Sequence, residues 1–428
     1  MKTTLFLTVL TAVQLHVGAA MAATGDYVAH EWGTFTSAQG ADGVQLAWNP
    51  LVTSDLPGFV HNPAKLAAER GNRGFFLGKD AFVTLQRMET PVIYFYSDKE
   101  QTVDVTVNFP QGRVTEWFPR ISPPANGNSE LTPTGPRVIR WNKVNILPKQ
   151  HHAALTEALP FDKSGSHYFA ARETDADFLQ FSTGEKSTAK LETEKFLFYR
   201  GVGDFTAPLT VTQSNDSESF TLKNTSKEEL RHLFVYRVHQ GQGKFLRMNR
   251  LAAGASETVK LQSERNAVAL SNLRTDIARN LQQALVKEGL YEREASAMVK
   301  TWDDSWFAEQ GVRVLYVLPR EWTDRTLPLT LEPKPREVVR VMVGRAEMIT
   351  PKMEWDLMKQ MVRFTESDES IRARAIEETR NLGLGRFLEP ATRRLNAKMP
   401  SREFNQISWA LLQEASKPAV DGKKLAAK

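Results

Sequence analysis

Pro91-Val92-Ile93-Tyr94-Phe95-Tyr96, then Ser97-Asp98-Lys99-Glu100, then Val103-Asp104-Val105-Thr106-Val107-Asn108-Phe109 is the stretch of this 428-residue chain that decides its fold class. The first run is continuously β-branched and aromatic, as in a strand buried on both faces. The last run alternates apolar and polar, as a half-buried strand does. With a four-residue polar turn between them, the two read as a β-hairpin.

Outward from this stretch the β pattern continues. Short strands are expected at 138–141, 167–172, 178–182 and 195–199, with a Pro-, Gly- and Asn-rich loop at 119–136. From 207 to 262 strands recur about every ten residues, at 209–212, 219–223, 233–238, 244–251 and 258–261. That spacing is the signature of an antiparallel sandwich. Helical periodicity begins at about 264: Leu273, Ile277, Leu281 and Leu285 recur every four residues, and Gly289 stands at the position of a C-terminal cap. A second helix at 292–302 makes a helical hairpin. Strands return at 312–318, 327–331 and 338–344, where they are expected to complete the preceding sandwich, and helices run from 352 onward.

The expected fold is therefore α+β: β-rich antiparallel sheets or a sandwich, with an inserted helical hairpin and a C-terminal helical segment. The expected division is a signal peptide at 1–23, a β-rich N-terminal domain at 24–205, a sandwich-like domain at 206–350 with a helical insertion at 264–308, a helical segment at 351–416 and a disordered tail at 417–428. Residues 1–23 carry Lys2, an apolar run from Leu5 to Ala20 and Ala20-Met21-Ala22, a small-x-small cleavage pattern. Gln14 and His16 interrupt that run, which is shorter than the ~20 apolar residues a membrane span takes. The mature chain is expected to be exported to the periplasm or secreted, soluble, and to start near Ala23 or Thr24.

Composition narrows the function classes. The 55 Lys and Arg face 50 Asp and Glu, interleaved along the chain. No basic stripe of the kind nucleic-acid binding uses is visible, so no nucleic-acid partner is expected. The absence of cysteine removes thiol catalysis, Cys-based zinc sites and lipid anchoring through a lipobox. Neither a Gly-x-Ser-x-Gly elbow nor a Walker or Rossmann fingerprint occurs.

The densest reactive cluster is His30-Glu31-Trp32-Gly33-Thr34-Phe35-Thr36. It is not a zincin, because Thr34 occupies the position of the second histidine. On a strand His30 and Glu31 point to opposite faces, so at most one joins a given site. His30 is the metal-ligand candidate, and Glu31 and Glu89 are the catalytic candidates. Tyr199 and Arg200 are the ligand-binding candidates, since Arg200 suits bidentate capture of a carboxylate or phosphate. The cofactor is undetermined, with a divalent metal left open. For each residue a structural alternative stands beside the functional one: a hydrogen-bonded strand-end pair for His30 and Glu31, an ion pair for Glu89, a turn for residues 200–204. His151-His152 reads as surface histidines. Trp302-Asp303-Asp304-Ser305-Trp306-Phe307 reads as helix-end packing, with sugar stacking as the alternative.

The segments 30–37, 88–96, 195–201, 289–307 and 313–319 resemble an uncharacterised family of exported bacterial proteins carrying the string His-Glu-Trp-Gly-Thr-Phe-Thr-Ser. The resemblance implies a bacterial envelope context and brings no activity, cofactor or catalytic residue. Two functions follow as expectations. One is a non-catalytic binding or structural protein recognising a glycan, peptide or envelope component. The other is a metal-assisted hydrolase with His30, Glu89 and Arg200 in one site.

Overall fold

A computed structural model describes residues 25–51, 56–69, 82–123, 135–182, 191–261 and 267–417. The expected signal peptide and nearly all of the expected tail lie outside the described residues. Its strands are β1 (Tyr27–Gly40), β2 (Gln45–Leu46), β3 (Gln86–Ser97), β4 (Gln101–Asn108), β5 (Gly112–Phe118), β6 (Val138–Leu147), β7 (Phe178–Ser182), β8 (Leu191–Glu194), β9 (Leu197–Gly203), β10 (Leu209–Gln213), β11 (Ser219–Asn224), β12 (Leu230–His239), β13 (Gln242–Leu251), β14 (Ser256–Lys260), β15 (Val268–Ala269), β16 (Gly311–Val317), β17 (Leu329–Glu332) and β18 (Glu337–Ile349). Its helices are α1 (Pro63–Glu69), α2 (His152–Leu155), α3 (Leu270–Lys287), α4 (Glu292–Asp303), α5 (Arg320–Thr326), α6 (Pro351–Phe364), α7 (Glu369–Arg380), α8 (Leu388–Lys398) and α9 (Arg402–Ser416). The fold is α+β with antiparallel sheets, as the sequence pattern predicts.

A ten-stranded sheet is the spine of the molecule, in the order β15-β13-β12-β16-β18-β1-β3-β9-β5, with β2 added on β1. The central pair β1–β18 is parallel and in unbroken register, and every other pair in the sheet is antiparallel. A five-stranded sheet β17-β4-β6-β7-β8 and a three-stranded sheet β10-β11-β14 complete the β structure. Each follows from the alternation of side chains across a strand. One face of the spine packs Phe35, Ile93, Phe95 and Tyr199 against Val105, Trp141, Val211 and Phe220 of the two smaller sheets. The opposite face packs Trp32, Tyr94, Phe198 and Val341 against Leu273, Ile277, Leu281 and Met298 of the α3–α4 hairpin. The end of β1 and β18 enters a third core of α6–α9, through Ala38, Ile349 and Phe387.

Three expectations are corrected. β3 and β4 follow each other through a tight turn, yet they do not pair. β3 lies between β1 and β9, whereas β4 pairs with β6 and β17 in the five-stranded sheet. Both edges of β3 are occupied and its residues from Gln86 to Phe95 are buried, so no edge remains for its neighbour in sequence. Residues 167–172 form a 3-10 turn rather than a strand; Ser166 accepts a hydrogen bond from the Tyr168 amide, and Tyr168 and Ala171 are buried at a spacing of three. Finally, the strands at 312–318 and 338–344 do not complete a separate sandwich. They become β16 and β18 of the spine, which takes strands from both sides of the expected boundary at 205/206.

The helical hairpin is as expected. Gly289 has φ +108°, and the Leu290 amide donates back to the Leu285 carbonyl at 3.2 Å, closing α3. Glu294, third residue of α4, accepts from the Tyr291 amide at 2.8 Å and so caps the next helix.

Candidate functional site

Thr90 sets the geometry of the site. It is a β-branched residue at φ +49°, a conformation such residues rarely adopt. It sits in a β-bulge: the β3 register slips against β1 between Trp32 and Thr34, and against β9 between Met88 and Val92. Bulges re-aim side chains, and here the bulge brings Pro91 against β1. A Cβ on Gly33 would lie 2.9 Å from the Pro91 Cα and 3.0 Å from the Met342 Sδ. Gly33 is therefore the residue that lets the two strands approach, which ties the 30–37 segment to the 88–96 segment physically.

Around the bulge, on the helical face of the spine, lies a layer of buried charge. Glu89 opposes Thr34, and Thr36 opposes Arg87 on one side and Arg345 on the other. The Arg386 Nη1 donates to Glu89 Oε1 at 2.7 Å, and Arg87 Nε lies 3.5 Å from the same oxygen. Arg200 grips Glu116 with Nε and Nη2, each at 2.9 Å, the planar fork that suits a carboxylate. Arg345, fully buried, donates to Glu347 at 2.8 Å, Glu309 at 2.6 Å and the Ser305 carbonyl at 2.8 Å. Arg313 donates to the Trp306 carbonyl at 2.8 Å and to Glu347 at 3.2 Å. The Ser305 and Trp306 carbonyls belong to a π-helical turn, Asp304–Ala308, at the end of α4. Such a turn displaces carbonyls from the ordinary helical ladder, and here two arginines take them up.

The electrostatics follow from this crowding. Burial alone raises the Glu89 carboxyl, but Arg386, Arg87 and Arg345 overcome it and hold the group at about 2. Burial, with Arg386 and Arg200 nearby, brings Arg87 down to about 10 even though Glu89 and Glu116 oppose the change. Burial raises Glu309 as well, and Arg345, Arg386 and Arg313 bring it below its usual value. Among the described residues, five guanidinium groups (Arg87, Arg200, Arg313, Arg345, Arg386) thus face four carboxylates (Glu89, Glu116, Glu309, Glu347) in the pairings above.

The sequence-predicted residues fall into three separate places. Glu89 and Arg200 share the bulge layer, where both act on Arg87. His30 lies on the same face but four residues earlier along β1 than Thr34, the partner of Glu89, which is ~13 Å at the usual strand rise. Its Nδ1 pairs with Glu294 at 2.8 Å, whose other oxygen accepts from the Tyr96 hydroxyl at 2.6 Å. Glu31 and Tyr199 face the opposite, all-β side: the Tyr199 hydroxyl donates to Glu31, and Arg340 Nε donates to it at 2.5 Å. Burial and the Glu31 charge push the Tyr199 phenol well above its usual value. Arg340 spends its remaining donors on Asp324 and the Leu327 carbonyl, both at 2.7 Å.

The single shared site of His30, Glu89 and Arg200 is therefore not formed. Among the described residues no three His, Asp or Glu side chains converge to hold a metal ion. His151 and His152 pair with Glu100 and Asp177, so neither faces a common ligand. Trp302 stacks on Trp306 at 6.0 Å, with Trp306 fully buried, which is helix-end packing.

Arg313, Arg345, Glu347 and Arg386 are the residues that sequence reasoning missed. A signal was present: Arg313 interrupts the apolar run 311–317, and Arg340, Arg345 and Glu347 interrupt the apolar run 338–349. A charge inside a strand that is apolar on both faces must be buried, and buried charges come paired.

Two clefts open elsewhere on the surface. One of about 780 Å³ lies between α5, β17 and the start of β18, and Asp324 and Arg340, which line it, are already paired with each other. The other, of about 330 Å³, lies between β12, β16 and α6.

No family model and no curated protein matches the chain. Among solved structures, the yeast delta-COP-I mu-homology domain complexed with a Dsl1 WxWxV peptide aligns at 7% identity and a TM-score of 0.29, over 77% of this chain and 99% of that one. The same yeast domain alone aligns at 7% identity and a TM-score of 0.28, over 77% and 98%. Among the described residues no helix is long and apolar enough to cross a membrane.

Proposed function

We propose that this is an exported, non-catalytic binding protein of the bacterial cell envelope, whose partner is a glycan, a peptide or another envelope component. The observation that carries the non-catalytic part is the pairing of every nominated acid or base. His30 is held by Glu294, Glu31 by Arg340 and Tyr199, and Glu89 by Arg386. A carboxylate held at about 2 is a weak proton acceptor at neutral pH, where a general base is most effective with a pKa near the working pH. The hydrolase alternative thereby loses its water-activating residue. The envelope location rests on the signal-like residues 1–23 and on the family resemblance. The segments that carry that resemblance include parts of β1, β3, β9 and β16 and the α4 region, the elements that frame the charged layer.

The test is activity of the mature protein taken from the periplasm, with its N-terminus at Ala23 or Thr24. The expected outcome is no turnover of ester, peptide or glycoside substrates, with or without added zinc. Turnover that disappears in Glu89→Gln would sink the non-catalytic reading.

A further inference from the structure

The Arg386 guanidinium uses only one edge. Its Nη1 donates to Glu89, while Nε and Nη2 are buried and make no hydrogen bond. Nε and Nη2 form the fork with which arginine takes a carboxylate through two parallel bonds. The hydroxyls of Thr34 and Thr36, both fully buried, are likewise without a partner. Each lies on β1 opposite a residue of the same layer, Thr34 opposite Glu89 and Thr36 opposite Arg87 and Arg345. Leaving such donors unmet in a dry interior is costly, so their clustering around one bulge points to a ligand.

From this geometry we infer that the charged layer binds a monoanionic carboxylate, taken by the Nε/Nη2 fork of Arg386 with the Thr34 and Thr36 hydroxyls beside it. The inference rests on the binding reading above and names the group that is recognised. Glu89 already occupies the Nη1 edge of Arg386, so the open edge suits a ligand carrying a single negative charge. A phosphate dianion would overfill the site, next to Glu89. Arg386 is also the arginine through which the layer meets the surface: its side chain is 13% exposed, against 0% for Arg345. It is carried on the 3-10 turn Gly385–Phe387, just after two glycines at positive φ, Gly383 and Gly385, and it stacks on Phe387, which also receives Arg345. The free carboxylate of a peptide end and that of an acidic sugar share this chemistry.

Calorimetric titration of the mature protein with acetate, N-acetylalanine, glucuronate and phosphate, at constant ionic strength in chloride, tests this. At least one carboxylate is expected to bind more tightly than phosphate. Arg386→Lys, which keeps the charge but loses the fork, is expected to weaken it about ten- to hundredfold, the scale of one or two charge-assisted hydrogen bonds. Thr36→Val, nearly isosteric, is expected to weaken it in the same direction. N-acetylalanine against glucuronate separates the two sources of carboxylate. No binding of any carboxylate, phosphate binding the tightest, or carboxylate affinities unchanged in both variants would overturn the inference. These outcomes leave the non-catalytic reading standing, since that reading is tested by turnover and by the ionisation of Glu89.

Discussion

Replacing Glu31 by leucine is expected to destabilise the protein by about 3–5 kcal/mol, the cost of stranding a buried charge. Glu31 is fully buried and takes the Arg340 Nε at 2.5 Å together with the Tyr199 hydroxyl. Without it, Arg340 keeps Asp324 and one carbonyl, but its Nε edge is left with no carboxylate and only the Tyr199 hydroxyl beside it. Burial lowers the guanidinium, and Glu31 is the chief influence that reverses this and raises it above its usual value. The loss is therefore expected to belong to the lone cation rather than to the missing carboxylate. Adding Arg340→Met to Glu31→Leu is expected to restore more than half of the stability in urea denaturation, because a buried pair replaced as a unit is often nearly neutral. A single-variant loss under about 1 kcal/mol, the range of an exposed ion pair, would contradict the structural role assigned to Glu31.

Arg345→Met is expected to cost a similar amount, about 3–5 kcal/mol, with a different signature. Arg345 joins three parts of the molecule: β18, the π-helical turn after α4 through the Ser305 carbonyl and Glu309, and the turn before α8 through Phe387. Its removal leaves Glu309 without its 2.6 Å partner and Glu347 with Arg313 alone. Cleavage of the C-terminal helices by a protease is expected to accelerate more than cleavage elsewhere, since local opening tracks local contacts. Uniform acceleration along the chain, or none, would contradict the linking role.

Much of the fold is legible in the sequence because periodicity reports burial. The alternation at 103–109 and the four-residue repeat in α3 each place an element correctly, and Gly289 marks the helix end by its need for positive φ. Pairing is less legible. The continuous apolar run of β3 states that both faces are covered, but not that both edges are taken by β1 and β9. The parallel contact of β1 with β18 joins residues about 310 apart in sequence, and no local pattern encodes such a pairing. The candidate site divides in the same way. Strand alternation separates His30 from Glu31 and Tyr199 from Arg200, as their odd and even positions require. The convergence of Glu89 with Arg386 depends on a turn 297 residues away. Arg313 and Arg345 show in the sequence only as charges inside apolar strands, and nothing local says which distant carboxylate each one meets.

Glu89 is held ionised by Arg386, Arg87 and Arg345, so the bulge around it is built to hold charge and not to transfer a proton. Glu89 has a folded-state value near 2 against an ordinary 4.5. The stability it contributes is thus fully present above about pH 4.5 and is lost as the pH falls through about 2. The direct measurement is the titration of its carboxyl by carbon-13 NMR of glutamate-labelled mature protein, assigned by comparison with Glu89→Gln. The account predicts a Glu89 resonance that stays in the ionised position from pH 7 down past pH 4. A midpoint near pH 6 or above would contradict it, placing at the bulge a carboxylate poised as a general base.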